Sequence, residues 1–129
     1  MEGRHDPDCR RSFPWDERAW DRDLLAYVQA ATAVRHAQPS LREGDFSVLA
    51  AEGNAVAWVR SLNGSPSIVT ALNAGSQRAA LSFPLPAGMA GLSPAAAPLA
   101  ASARASVDLA ASRATIEIGP RSAAILVAS

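Results

Sequence analysis

The chain has 129 residues, and its 12 basic residues balance its 12 acidic residues, so the formal net charge at pH 7 is zero. This balance excludes the basic surface by which proteins bind nucleic acid or anionic membranes. One cysteine permits no intrachain disulfide, and with only two histidines a zinc site is not expected; the sequence indicates neither a metal nor another cofactor. No apolar run is long enough to span a bilayer. The length suits one small domain with an appendage.

Residues 1–20 are predicted to form a loop in which polar, charged and aromatic residues follow no helical or strand period. Pro7 and Pro14 would break a helix there. Acidic residues are concentrated in this part of the chain, and its central run reads His5-Asp6-Pro7-Asp8-Cys9-Arg10-Arg11. Such a composition is typical of an ordered loop that faces a ligand.

A helix is predicted from about residue 22 to residue 37, with Asp21 as its N-cap and Asp23 in its first turn. Apolar residues recur there at intervals of three and four, with Tyr27 on the flank. This predicted stripe consists of Leu24, Val28, Ala31 and Val34. Pro39 is expected to end the helix, and His36 is interpreted as a helix-end residue.

From Gly44 onward the apolar period changes from 3.6 to 2, which predicts short strands. The predicted strands are 46–51, 55–61, 67–73, 78–85, 114–119 and 122–128, with shorter ones near Leu92 and near 107–109. The first two read as a hairpin, and in the last two Ile116/Ile118 and Ile125/Val127 are predicted to point inward. The segment 87–113 offers few large side chains to bury. The pattern predicts a mainly β fold, an antiparallel β-sandwich.

Several ordered motifs carry a resemblance to a known family. They are the run from His5 to Arg11, then Phe13-Pro14-Trp15-Asp16, Ala33-Val34-Arg35-His36, Pro39-Ser40-Leu41-Arg42 and Gly44-Asp45-Phe46. Together they resemble the end of neopullulanases and cyclomaltodextrinases of the α-amylase superfamily, over residues 1 to about 60. The resemblance implies that residues 1–43 are the end of a catalytic (β/α)8 barrel, with residues 22–37 as its last helix. Residues 44–129 would be the C-terminal Greek-key β-sandwich domain.

The resemblance implies a C-terminal portion of an α-glucan-processing glycoside hydrolase that is inactive alone. The family's aspartate nucleophile, glutamate acid/base and stabilising aspartate lie on earlier barrel strands, and nothing in this chain resembles them, so no catalytic residue is assigned here. The expected partners are the missing barrel and, in the intact parent, an α-glucan or maltooligosaccharide. The resemblance favours a cytoplasmic parent. In this interpretation the helix stripe lacks the parallel sheet it was built to cover, so the helix is expected to fray or to self-associate.

By resemblance, Asp6 and Arg10 match loop positions that contact glucose units in the intact parent. Carboxylate and guanidinium groups can each grip sugar hydroxyls with charge-assisted hydrogen bonds. The alternative is that Arg10 and Arg11 pair with nearby aspartates and order the loop. Asp6 and Asp8 are not expected to act alone as a glycosidase pair, which requires two opposed carboxyls and a raised pKa on one of them. Cys9 is expected to fill the loop interior.

The aromatic residues bear on a second interpretation, a stand-alone carbohydrate-binding β-sandwich. Such a module presents two or three exposed aromatic rings on one sheet face. The sandwich region contains only Phe46, Trp58 and Phe83, and strand alternation can place all three inside. Trp15 and Trp20 could stack on sugar, but we expect them to anchor the loop to the core.

Overall fold

The computed structural model describes residues 5–6, 9–10 and 12–129, in which a helical segment precedes two antiparallel β-sheets. A 3-10 helix, Glu17–Ala19, leads into α1 (Arg22–Ala37) and α2 (Pro39–Glu43). The strands are β1 (Asp45–Glu52), β2 (Ala55–Ser61), β3 (Ile68–Asn73), β4 (Ala79–Pro84), β5 (Leu92–Pro94), β6 (Ala103–Asp108), β7 (Arg113–Ile118) and β8 (Ser122–Ala128). None of the helices in these ranges is long and apolar enough to cross a membrane.

One sheet has the strand order β1-β2-β3-β8-β5 and the other the order β4-β7-β6. The chain crosses between them after β3, β4, β5 and β7, and every pairing is antiparallel. The predicted mainly β sandwich is confirmed. The predicted hairpin is present as β1 and β2, whose turn contains Gly53 with a φ of +54°, a conformation that glycine adopts without strain.

The core lies between the two sheets and is formed by alternate residues of the central strands. Phe83 of β4 and Ile116 and Ile118 of β7 are buried and face Val69 of β3 and Leu126 of β8. Small residues fill the rest of the five-stranded sheet's inner surface, including Ala57, Ala71 and Ala124. Large side chains from one sheet thus pack onto small ones from the other, as close packing requires.

The inward orientation predicted for β8 is wrong. Ala124 and Leu126 are buried in the core, whereas Ile125 and Val127 are half-buried on the opposite face, where they pair with Thr70 and Ile68 of β3. Because β8 is a central strand covered on both faces, it carries apolar residues at nearly every position. Alternation alone therefore could not determine which set points inward.

Helix α1 has the predicted bounds, and the Asp21 carboxylate accepts a hydrogen bond from the Leu24 N–H at 2.9 Å, as an N-cap should. Of the predicted stripe, Val34 is buried, whereas Leu24 and Val28 are 59% and 51% exposed, as expected for a stripe whose sheet is not among the described residues. The covered side of α1 instead carries Tyr27, Ala30 and Val34. These residues also recur at intervals of three and four residues, so the spacing alone could not show which side of the helix is covered.

The helical segment is fastened to the five-stranded sheet where it passes into β1. Helix α1 ends before Pro39, as predicted, and Pro39 begins α2, where a proline at the first position lacks only an N–H that needs no partner. The buried Ser40 hydroxyl donates a hydrogen bond to Pro66 O at 2.6 Å. Arg60 of β2 donates from Nε and Nη2 to Gly44 O at 3.0 and 2.7 Å.

The Ala-rich segment 87–113 contains more structure than its composition predicts. Strand β6 is longer than expected, and a 3-10 helix, Ala97–Ala100, was missed. Leu99 in that helix and Met89 before it are buried. The segment therefore buries two large side chains, although its composition predicted few to bury.

Candidate functional site

The described part of the predicted ligand-facing loop brings Asp6 and Arg10 together. Arg10 Nε lies 2.6 Å from Asp6 Oδ1, and both side chains are largely exposed. The Cys9 thiol donates a hydrogen bond to the same Asp6 oxygen at 3.7 Å. Cys9 is exposed, so the expectation that it fills the loop interior is wrong. Pro7, Asp8 and Arg11 lie outside the described residues.

This ion pair agrees with the alternative interpretation, in which arginines of the loop pair with nearby aspartates and order the loop. An exposed pair of this kind contributes only about 0–1 kcal/mol, so it orders the loop weakly. Because Asp6 and Arg10 both face solvent, their remaining oxygen and nitrogen atoms are open to sugar hydroxyls. Asp6 lacks the apolar cover that a general acid needs. Contact of Asp6 and Arg10 with glucose stays a prediction.

Three aromatic rings form a cluster between this loop and α1. The Phe13 ring centroid lies 5.0 Å from that of Trp15 and 5.7 Å from that of Trp20, in edge-to-face arrangements. Trp20 is half-buried, and its indole N–H donates to Pro14 O at 2.6 Å. These contacts of Trp20 lie within the loop and at the start of α1, and its anchoring to the core stays a prediction. Trp15 is 81% exposed, and for this residue the predicted anchoring is wrong.

Charged side chains lead from this aromatic cluster into α1. Asp16 caps the 3-10 helix by accepting from the Arg18 N–H at 3.0 Å, and the Arg18 guanidinium bonds both oxygens of the same carboxylate. The Arg18 side-chain hydrogen bonds, followed by its backbone N–H, hold the pKa of Asp16 below its ordinary value. Arg22 pairs with Glu17 at 2.8 Å and lies over the Trp20 ring. These contacts fix local geometry and leave the Trp15 ring in water.

Two of the three sandwich aromatics lie outside the core, although strand alternation allowed all three an interior position. Phe83 is buried, but Phe46 is 59% exposed and Trp58 is half-buried. The ring centroids of Phe46 and Trp58 are 6.3 Å apart, with an angle of 35° between their planes. Because Ala57 and Val59 of β2 face the core, their neighbour Trp58 must face outward, and this alternation was the available signal.

A groove of about 600 Å³ separates the first half of α1 from the rest of the molecule. Its walls include Asp23 and Tyr27 of α1, Leu72 of β3, Pro98 and Arg121. Across the described residues, no group of three or more histidine, cysteine, aspartate and glutamate side chains could hold a metal ion.

Comparison with known proteins shows which proteins this chain is similar to in sequence and in fold. No protein-family model matches the chain. A cyclomaltodextrinase from Bacillus sp is 42% identical over 62 residues, which is 46% of this chain and 11% of that protein. A solved cyclomaltodextrinase structure matches 100% of this chain and 21% of its own, with a TM-score of 0.75 and 26% identity. The cyclic α-maltosyl-(1→6)-maltose hydrolase of Arthrobacter globiformis, in complex with cyclic α-maltosyl-(1→6)-maltose, matches 98% of this chain and 24% of its own, with a TM-score of 0.64 and 26% identity.

The helix and sandwich therefore have the fold of a segment of a glycoside hydrolase that acts on α-glucans. More particularly, the predicted resemblance to cyclomaltodextrinase-like enzymes is confirmed, in sequence over part of the chain and in structure over all of it. The chain spans about a tenth of the length of the curated relative and about a fifth of the length of the matched structure.

Proposed function

We propose that this chain is a non-catalytic portion of an α-glucan-processing hydrolase, in which the sandwich of residues 44–129 supports a catalytic barrel that ends in residues 1–43. The observation that carries the proposal is the structural match over the whole chain to about a fifth of a cyclomaltodextrinase. A segment of that size can supply a fold and part of a substrate surface. The residues that the structure describes include none of the earlier barrel strands on which, by resemblance, the superfamily's catalytic carboxylates lie.

The uncovered side of α1 supports the same proposal. Leu24 and Val28 are more than half exposed, although both are large apolar residues on a regular helix whose other side is covered by the protein. Helices of a (β/α)8 barrel bury one side against the parallel strands. Leu24 and Val28 would form that buried side once the barrel is present.

Within the assembled enzyme, Asp6 and Arg10 would contact glucose units of the bound α-glucan. The exposure of both side chains supports this role, because their oxygen and nitrogen atoms outside the ion pair remain open to a sugar. A bound sugar could then accept from the guanidinium and donate to the carboxylate. The proposed role is binding, with no proton transfer to or from Asp6.

The test is an activity assay on the purified chain with β-cyclodextrin, pullulan and starch. We expect no release of reducing sugar above the buffer control. Release that is abolished by Asp6→Asn, with Asp45→Asn as a matched control on β1, would overturn the proposal. The DNA immediately upstream of the coding sequence provides a second test, because the proposal predicts an in-frame sequence there that encodes the barrel.

A further inference from the structure

The outer face of the β1–β2 hairpin carries an exposed aromatic surface. In an antiparallel pair, directly opposed residues point to the same side. Phe46 opposes Arg60 and Val48 opposes Trp58, so these four side chains share one face of the five-stranded sheet. The core lies on the opposite face, with Ala57 and Val59.

The surface is apolar, exposed and open at one side. Phe46 and Val48 are both more than half exposed, and β1 is the edge strand of its sheet. The Phe46 and Trp58 rings are neither coplanar nor edge-to-face, so together they form a shallow, bent surface. Exposed clusters of this kind mark binding sites more often than isolated apolar residues do.

Charge on this face is almost absent. Among the outward-facing residues of β1, β2 and β3, Arg60 carries the sole charge, and its guanidinium is fixed by two hydrogen bonds to Gly44 O. Its Nη1 makes no hydrogen bond to any residue that the structure describes. Thr70 of β3 lies opposite Trp58 and adds a hydroxyl to the same face. An uncharged ligand that needs a few hydrogen bonds and a broad apolar contact fits this surface.

We propose that Phe46 and Trp58, flanked by Arg60 and Thr70, form a binding platform for α-glucan chains, separate from the loop of Asp6 and Arg10. A glucose ring offers an apolar face of C–H groups to an aromatic ring and hydroxyls at its rim. Successive units of an α-1,4-linked chain turn relative to one another, which suits two rings inclined by 35°. The choice of α-glucan as the ligand rests on the proposed function.

The platform is tested by titrating the isolated chain with maltoheptaose and following amide and indole signals by NMR. We expect weak, millimolar binding that shifts the signals of Phe46, Val48 and the Trp58 indole. Phe46→Leu should weaken binding about five- to tenfold, because it keeps apolar area but removes the ring, and Phe46→Tyr should retain it. Cellohexaose, whose β-linked chain is flat, should bind more weakly than maltoheptaose.

The controls separate this inference from the proposed function. Leu109→Ala removes an exposed apolar side chain between β6 and β7 and should leave binding unchanged. Binding that persists in Phe46→Leu, or that is lost in Arg10→Ala, would overturn the platform and leave the barrel-supporting role untouched. A change in oligomeric state of Phe46→Leu without a change in glucan affinity would also overturn it, by assigning the surface to protein association. The activity assay with β-cyclodextrin, pullulan and starch tests the proposed function independently of glucan binding at this surface.

Discussion

The double substitution Leu24→Lys/Val28→Lys tests whether one side of α1 lacks a cover in the isolated chain. Complete burial of a leucine or valine side chain stabilises a fold by about 1.5–3 kcal/mol. With 59% and 51% of their surfaces exposed, Leu24 and Val28 gain only about half of that amount. The methylene stem of lysine keeps part of the remaining contact. The double variant should therefore lose only about 1–2 kcal/mol of unfolding free energy.

The matched control is Val34→Lys, on the covered side of the same helix. Val34 is buried, so a lysine there must displace packed neighbours or leave a charge with little solvation, at a cost of about 3 kcal/mol or more. Urea unfolding of both variants measures the difference, and light scattering reports the number of subunits. If the wild-type chain is a dimer, the double variant should be a monomer.

A loss of about 3 kcal/mol or more in a monomeric double variant would refute this reasoning. It would mean that Leu24 and Val28 are buried within the chain in solution. The helix would then have a complete set of contacts without a barrel, and the uncovered side would no longer support the proposed function.

Two further predictions concern local contacts. Asn73→Ala should lower the free energy of unfolding in urea by about 2–4 kcal/mol. Asn73 is buried, donates a hydrogen bond to Gly119 O at 2.9 Å and accepts one from the Gly75 N–H at 2.9 Å. A stability within about 0.5 kcal/mol of wild type would contradict this prediction. An NMR titration should find the pKa of Asp16 below its ordinary 3.8, and Arg18→Ala should raise it. Because the folded-state pKa is lowered, any stabilisation from this pair is present above the unfolded-state pKa and is lost as pH falls through the folded-state pKa; an unchanged Asp16 pKa in Arg18→Ala would show that Arg18 is not its cause.

Local signals in the sequence were sufficient for most of the elements. The cap at Asp21 and the turn at Gly53 are short-range features whose hydrogen bonding and backbone conformation depend on neighbouring residues, and both are present. The 3-10 helix Ala97–Ala100 was missed because its four residues are mostly small and show no period. Its buried Leu99 is covered by tertiary contacts that no local pattern encodes.

Orientation was harder to predict than element type. Which side of α1 packs against the 3-10 helix Ala97–Ala100, and which face of β8 meets the core, depend on partners distant in the sequence. For the same reason the sequence allowed an interior position for Phe46 and Trp58, since alternation fixes the relative orientation of residues but not which face is covered. At the loop, sequence placed Asp6 and Arg10 on one segment, and their spacing of four residues allowed the observed pair without requiring it.

The junction at Gly44 determines which part of the chain can be exchanged between related enzymes as a unit. A Cβ atom at residue 44 would lie 2.5 Å from Ser40 O and 2.7 Å from Ser61 O, so the backbone of α2 and the end of β2 meet there with no space for a side chain. A cut between residues 43 and 44 would separate Ser40 from Pro66 O and expose the surface beneath. Recombination that preserves these contacts must join chains upstream of Pro39, so that α2 is inherited together with the sandwich.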